Sequence, residues 1–156
     1  INDVIQDLDS TYFFFFFLYK KSKLVIPVNF AVDQYNINGL PKATRDELEN
    51  AGRSLKTFVD ETTKKYPGVQ YILIIEGQAS LDNSTFNYEL SYQRALSLKQ
   101  FWEKNNVVFN DKNCEVLICG SGDGRLSGPG LMREQKEVLN QRFLIHILPK
   151  PGKIGD

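Results

Sequence analysis

The sequence predicts an α/β (α+β) sandwich in which helices pack on a mixed sheet. Short, nearly continuous apolar runs alternate along the chain with longer segments whose apolar residues recur at helical spacing. Short apolar runs are typical of strands covered on both faces, and helical spacing indicates a single buried stripe on a helix. Their alternation is the pattern of helices layered on a sheet. A chain of 156 residues can bury one core of this kind.

Residues 1–23 are predicted to lead into the sandwich as a strand or hairpin extension. A helical turn or two is expected in residues 1–11, followed by an aromatic strand, Tyr12–Leu18. Residues 20–22 then supply a polar turn, and Leu24–Phe30 is a second β-rich run, so we expect a hairpin. The five consecutive phenylalanines favour a strand buried on both faces or against a neighbour; the alternative is a sticky surface for a partner or a membrane.

The first long helix is predicted to begin near Thr44 and to end at about Lys65. After Pro41, the pair Thr44 and Glu47 has the T-x-x-E spacing of a capping box. The proline and glycine at 67–68 then stop the helix. The apolar stripe at helical spacing comprises Leu48, Ala51, Leu55, Phe58 and Val59.

The remaining elements follow from the same patterns. Buried strands are expected at Val69–Ile75 and Glu115–Cys119, a long helix at Asn87–Lys104, a short helix at Leu131–Leu139 and a last strand at Arg142–Leu148. The sandwich itself spans residues 24–148. Residues 149–156 are predicted to form a flexible tail.

Charge and composition exclude several classes of protein. Nineteen basic residues balance nineteen acidic ones, so no overall field attracts nucleic acid. The longest apolar run, Tyr12–Tyr19, is far shorter than the roughly 20 residues that span a bilayer. The chain starts at Ile1 without a targeting signal and resembles a piece of a longer protein. Any membrane attachment is therefore expected through a missing N-terminal segment.

No residue pattern indicates catalysis, a cofactor or a metal. Cys114 and Cys119 are five residues apart in one predicted strand, so their side chains point to opposite faces and cannot form a disulfide. This favours two separate core thiols. His146 alternates with apolar residues in the last strand and has no Cys or acidic cluster beside it, which favours a structural role. The glycine-rich segment 120–130 lacks the Lys-Ser/Thr ending of a phosphate-binding loop, and a flexible loop is the better interpretation.

Arg94 is the anomalous residue of the second helix. At about 100° per residue, Arg94 and Asn87 fall inside the apolar arc, with Ser91 close by on the same side. A guanidinium directed at a core is costly unless a polar group receives it. Either Arg94 pairs with an internal carboxylate or reaches the rim, or it offers its planar fork to a ligand carboxylate beside the loop 78–86.

The residues around Arg94 resemble a family signature. The string at 76–80 (EGQAS), followed by Asn87, Leu90–Ser91 and Arg94–Ala95, resembles the E-G-H-T-D…N…L-S…R-A signature of OmpA-like peptidoglycan-binding domains. MotB-type stator proteins and peptidoglycan-associated lipoproteins carry the same domain. Two further matches are Gly120–Gly122, similar to the family's G-x-G, and Asn140–Phe143, similar to its N-R-R-V.

The resemblance implies a βαβαβ sandwich with two long helices on one side of the sheet. It also implies noncovalent binding of the diaminopimelate in a peptidoglycan stem peptide, a residue with carboxylate and ammonium groups. By position, Arg94 matches the arginine that pairs with the ligand carboxylate. Asn87 and Ser91 lie beside it, and Arg142 matches a last-strand arginine near the same groove.

The sequence departs from the signature where the ligand ammonium is expected to bind. Ser80 replaces the family aspartate, and Gln78 and Ala79 replace the preceding His and Thr. Asp82 could supply the missing carboxylate if the loop is rearranged. Otherwise Ser80 offers a neutral hydrogen bond, worth about 0.5 to 1.5 kcal/mol against about 1.5 to 3 kcal/mol for a charged one.

The resemblance therefore implies an anchoring domain in the periplasm of a Gram-negative bacterium, tethered to the inner or outer membrane and bound to peptidoglycan. The alternative is a domain that keeps the fold but has lost the ligand, and that acts as a protein-interaction or homodimerisation module. The aromatic run and the altered loop motivate this alternative.

Overall fold

The computed structural model describes residues 8–16, 21–109, 112–128 and 131–150. In chain order its elements are β1 (Phe13–Phe16), β2 (Lys21–Leu24), α1 (Lys42–Lys65), β3 (Tyr71–Gln78), α2 (Asn87–Lys104), β4 (Cys114–Gly122) and β5 (Arg142–Pro149). Short 3-10 helices occur at Ile37–Gly39 and Glu137–Asn140. Most of the helical turn predicted for residues 1–11, and the tail from residue 151, lie outside the described residues.

The five strands form one mixed sheet, as the sequence predicts. Their order is β1-β2-β5-β3-β4; β3 and β4 run parallel and the other neighbours are antiparallel. The central strand β3 buries Leu73 and Ile75 in the main core, whereas Ile72 and Ile74 alternate to the opposite face and stay half-exposed. Both helices contribute to that core, so they cover one face of the sheet. The opposite face is called the open face below.

The N-terminal hairpin forms, but its second strand lies earlier than predicted. Lys21 and Ser22, expected in the turn, belong to β2, which ends at Leu24. The apolar segment 25–30 is irregular chain rather than strand. Ile26 and Val28 are nevertheless buried in the core. Every second residue of this segment is therefore apolar and at least partly buried, as in a strand, although the segment is not itself a strand. In the part of the aromatic run that the structure describes, one side is buried and the other is not, because Phe13 is 4% exposed and Phe14 is 54% exposed.

The other elements differ from prediction mainly at their ends. Helix α1 starts at Lys42 with Pro41 as its N-cap, and no side chain caps it, so the predicted capping box is wrong. Helix α2 has the predicted bounds. The short helix predicted at Leu131–Leu139 is also wrong, since only the 3-10 turn at Glu137–Asn140 forms there.

Two glycines bring α2 against the sheet. A Cβ on Gly77 in β3 would lie 2.1 Å from the carbonyl oxygen of Ser91, and one on Gly120 in β4 would lie 2.5 Å from the amide nitrogen of Tyr92. No real side chain tolerates such distances, so α2 rests directly on the backbones of both strands. The positions of Asn87, Ser91 and Arg94 along α2 are thereby fixed relative to the ends of β3 and β4. Neither helix in the described residues is long and apolar enough to cross a lipid bilayer.

Candidate functional site

The predicted site residues gather where β3 and β4 end and α2 begins. The carboxyl ends of parallel strands are where α/β sheets commonly bind ligands. The loop after β3 carries Ser80 and Asp82, α2 carries Asn87, Ser91 and Arg94, and the turn after β4 adds Asp123. These residues come from three separate segments, and their contacts define the site.

Arg94 is held in place with much of its hydrogen-bonding capacity unused. Arg94 is only 6% exposed. Its Nε donates to the carbonyl oxygen of Gln34 at 2.9 Å, and its guanidinium carbon lies 4.5 Å from the centre of the Phe30 ring. Burial lowers the pKa of Arg94, and the carboxylates of Asp33 and Asp82 oppose that effect. The predicted alternative of a hydrogen-bonded internal carboxylate is not what Arg94 meets.

The two terminal nitrogens of Arg94 are the unused donors. Neither nitrogen makes a hydrogen bond with any described residue. Neither nitrogen is fully buried either. They therefore reach solvent while Nε and the ring of Phe30 hold the plane of the guanidinium fixed. A fork held in this way suits bidentate binding of a carboxylate.

Asn87 joins two acidic residues beside Arg94. The two hydrogens of its Nδ2 are shared among three acceptors: Asp82 Oδ1 at 2.8 Å, Asp123 Oδ2 at 3.0 Å and the carbonyl oxygen of Ser80 at 3.2 Å. The Asp82 oxygen also accepts the backbone N–H of Ser84, which closes an Asx turn in the loop. In this arrangement of the loop, the carboxylate at the site comes from Asp82, two residues after the position that Ser80 occupies.

Asp123 was not identified from the sequence. It is 4% exposed and accepts hydrogen bonds from Asn87 and from Arg125, whose Nε lies 2.8 Å from Oδ2. Burial alone would raise the pKa of Asp123, but these hydrogen bonds and the charge of Arg125 outweigh it and the pKa is lowered. The one signal available was its position directly after β4, in the glycine-rich segment that we interpreted as a flexible loop.

Ser91 has a structural task. Its hydroxyl donates to the carbonyl oxygen of Tyr88 at 2.9 Å and accepts the backbone N–H of Gly122 at 2.9 Å. Both hydroxyl functions are used in joining α2 to the end of β4. Ser91 is fully buried, and it positions Asn87 and Arg94 rather than meeting a ligand.

Ser80 and Arg142 are occupied elsewhere. The Ser80 hydroxyl accepts from Gln141 Nε2 at 2.8 Å. Arg142 shares this edge of the sheet but lies on the open face, because its neighbour Phe143 enters the helix-side core. There its Nε donates to Gln78 Oε1 at 2.7 Å and its terminal nitrogen pairs with Glu134 at 3.1 Å. The expectation that Arg142 lies beside the Arg94 groove is therefore corrected by the structure.

His146 belongs to a charge network on the open face, as the structural interpretation of this residue predicts. Its Nε2 lies 3.1 Å from Glu76 Oε1, which also pairs with Lys21 at 3.1 Å, while Ser121 donates to Oε2 at 2.7 Å. Burial raises the pKa of Glu76, but the hydrogen bonds from His146 and Ser121 and the charge of Lys21 outweigh it and bring the pKa to about 2. Since an ionised carboxylate only accepts, His146 Nε2 carries a hydrogen.

The remaining sequence candidates do not add to the site. In the described part of the chain, no group of three His, Cys, Asp or Glu side chains could hold a metal ion. Neither cysteine forms a disulfide within the described part of the chain, and Cys114 is buried in the core. Burial raises the pKa of the Cys119 thiol to about 11, assisted by the nearby Glu76 carboxylate, so this thiol is unreactive.

Comparison with known proteins agrees with the architecture. No family model matches the sequence, and no curated protein is significantly similar to it. Solved structures do match. The chain has the fold of an OmpA/MotB-like domain, a mixed sheet with two long helices on one side.

Two matching structures are fragments of the periplasmic domain of Helicobacter pylori MotB. One is 14% identical with a TM-score of 0.51, over 89% of this chain and 87% of that one. The other is 15% identical with a TM-score of 0.51, over 84% and 73%. The peptidoglycan-associated lipoprotein of Burkholderia pseudomallei is 15% identical over 95% and 100%, with a TM-score of 0.47. The fold assignment rests on the two MotB fragments; none of the three is described as an enzyme.

Proposed function

We propose that this domain binds the diaminopimelate-containing stem peptide of peptidoglycan without catalysis, and so anchors an envelope protein to the cell wall. The fold is that of periplasmic MotB fragments, and the signature around Arg94 implies this ligand. The proposal includes a periplasmic location and a tether to the inner or outer membrane through a segment before residue 1.

The observation that carries the proposal is the state of Arg94. Its guanidinium is fixed by Gln34 and Phe30, yet its terminal nitrogens have no acceptor among the described residues. Holding a charge so near a core stabilises the fold little unless a partner arrives. A ligand carboxylate would accept both terminal N–H groups, in the charge-assisted geometry that arginine favours.

Asp82 completes the complement to a zwitterion. Its carboxylate acts electrostatically on Arg94 and is oriented by Asn87 and Ser84. Asp82 is solvent-exposed, so a ligand ammonium can approach it. Asp123 is less suited to this role because Asn87 and Arg125 already use it. The proposal therefore moves the ammonium-binding role from the position of Ser80 to Asp82.

The decisive experiment is a calorimetric titration with a muropeptide that contains diaminopimelate. Saturable binding is expected at micromolar to millimolar ligand, and Arg94→Ala should abolish it. Arg53→Ala is the matched control, because Arg53 is exposed on α1 and, within the described ranges, pairs with Glu49 and a backbone carbonyl. Absence of saturable binding at millimolar ligand, or binding unchanged in Arg94→Ala, would refute the proposal.

A second candidate function is protein interaction or homodimerisation. It is favoured by a patch of exposed apolar side chains around a hollow of about 350 Å³ on the open face, beside the edge strand β1. The patch comprises Phe14, Val25, Val138 and Leu139, which are 40% to 54% exposed. Sedimentation equilibrium distinguishes the two candidates: dimerisation that is lost in Phe14→Ser would support this one, and a monomer at high concentration would remove it.

A further inference from the structure

The outward surface of α2 carries two adjoining hollows that the Arg94 site does not use. The first, about 350 Å³, lies between α2 and the segment 35–38. The second, a shallow depression of about 580 Å³, follows the helix along Tyr88 and Tyr92. Gln93 and Leu96 line both of them, so the two hollows form one continuous surface along the helix.

The lining of this surface is aromatic and amide-rich. Tyr35 and Tyr92 are each 44% exposed. The side-chain amides of Gln93, Gln100 and Asn38 make no hydrogen bond with any described residue, so their donors and acceptors are available.

Charges are sparse on this surface. Glu89 lines the second hollow and Lys104 the first, at opposite ends of the surface. A further lysine of α2, the half-buried Lys99, is already paired with Glu103 at 2.6 Å. A single cation at one end does not suit a polyanion. Neutral hydrogen-bonding groups therefore dominate the surface.

We infer that this surface binds an uncharged amino-sugar oligomer. Side-chain amides match sugar hydroxyl and acetamido groups because both partners donate and accept hydrogen bonds. Exposed tyrosine rings offer flat apolar faces to the C–H side of a sugar ring, with a hydroxyl at the rim. Clefts of this kind bind through apolar contact, with a few polar groups that fix orientation.

The surface has two walls, helix α2 and the segment 35–38, and each wall adjoins Arg94 or the residue that holds it. Gln93 precedes Arg94 on α2, and Tyr35 follows Gln34, whose carbonyl holds Arg94 Nε. The hydroxyl of Ser97 accepts the N–H of Ile37 at 3.0 Å and so pins the second wall to the helix. Any ligand that reaches from Arg94 to this surface would run along the axis of α2.

The spacing suits a sugar that carries a stem peptide. At 1.5 Å per residue, the six residues from Arg94 to Gln100 rise about 9 Å along α2. Roughly two extended residues span about 7 Å, which is the order of separation between a sugar and the diaminopimelate of its stem peptide. The inference rests on the proposed function and adds to it the glycan strand as a second point of contact.

The experiment is an NMR titration of the ¹⁵N-labelled domain with a peptide-free N-acetylglucosamine tetramer. Saturable shifts are expected in the backbone amides of Tyr35, Tyr92 and Gln93. Loss of one stacked ring costs about 0.5 to 1.5 kcal/mol, so Tyr35→Ala and Tyr92→Ala should each weaken binding roughly two- to tenfold. Tyr66→Ala is the control, because Tyr66 lines neither hollow.

The same titration on Arg94→Ala separates this inference from the proposed function. The tetramer should bind Arg94→Ala as well as it binds the unmodified domain, while a sugar-free stem peptide that contains diaminopimelate should lose its binding to that variant. If the muropeptide binds the domain but the tetramer shows no saturable shift, the inference is overturned and the proposed function stands. Tetramer binding that is unaffected by both tyrosine substitutions also overturns it. If the tetramer binds and the sugar-free stem peptide does not, the inference survives while stem-peptide binding fails.

Discussion

The buried arginines on the two faces of the sheet differ in the hydrogen-bond acceptors that surround them. Arg142 on the open face is 8% exposed, and the side chains of Gln78 and Glu134 accept its hydrogen bonds. Arg94 on the helix side is 6% exposed, yet its only hydrogen-bond acceptor among the described residues is one backbone carbonyl. Burial lowers the pKa of both residues.

The difference shows that burial of a charge does not by itself identify a binding site. The open face also buries Glu76, with Lys21, His146 and Ser121 around it, and these groups satisfy one another. What distinguishes Arg94 is a fixed guanidinium with donors left over. Unused hydrogen-bonding capacity in a rigid setting, rather than burial alone, is therefore the reason for proposing a binding site at Arg94.

The largest expected effect tests the open-face network by acid. The pKa of Glu76 falls from 4.5 to about 2 on folding, so its stabilisation is complete above about 4.5 and is lost as the pH falls towards 2. By linkage this amounts to about 3 kcal/mol at most. Urea unfolding over that pH range should show a shallower pH dependence in Glu76→Gln. An unchanged slope would mean that Glu76 is not held by this network.

The next effect compares the two arginines directly in unfolding experiments. Arg142→Met should lower the free energy of unfolding by about 1 to 3 kcal/mol, because it leaves the Gln78 oxygen buried without its donor. Arg94→Met should cost about 1 kcal/mol, because water can replace its bond to the exposed Gln34. Urea denaturation of both variants measures this. A larger cost for Arg94→Met would contradict the assignment of roles.

Ligand affinity should reverse that order. Arg94→Lys keeps the charge but loses the planar fork, so muropeptide affinity should fall roughly tenfold, for a loss of about 1.5 kcal/mol. Arg142→Met should leave the affinity of the folded protein unchanged. Calorimetric titration of both variants checks the comparison. Equal losses of affinity would place Arg142 in the ligand site after all.

The smallest effect concerns the ammonium half of the site. Asp82→Asn keeps an oxygen for Asn87 and Ser84 but removes the charge, so affinity should fall by a factor of roughly three to ten, as expected for about 1 kcal/mol at an exposed pair. Asp46→Asn is the control, because Asp46 is exposed on α1 and pairs with Lys42. Unchanged binding in Asp82→Asn would return the ammonium-binding role to Ser80 or Asp123.

Prediction succeeded where local pattern and packing agreed, and failed where tertiary contacts overrode the pattern. Helix α2 has its predicted bounds because one buried face runs along its whole length, polar at its start and apolar from Ala95 to Trp102. Segment 25–30 failed because its alternate side chains are buried without a neighbouring strand, and because Pro27 lacks the N–H of a ladder bond.

The segment 131–139 failed for a different reason. Arg133 donates to the carbonyl oxygens of Gly122 and Ala79, and Asn140 exchanges hydrogen bonds with the backbone of Glu134. These contacts with strand ends and within the loop replace the helix that the apolar spacing favoured. Helix propensity is a weak preference that such contacts can outweigh.

The sequence by itself determined the layered fold and the bounds of α2 and singled out Arg94 as a candidate site residue, because these depend on periodicity and on the spacing of a few residues along one helix. Only the tertiary structure decided which polar groups meet. It brought Asp123 to Asn87, turned Arg142 to the open face and left the terminal nitrogens of Arg94 open. Contacts between distant segments depend on how strands pair and on which face each side chain occupies, and that information is not local in the chain.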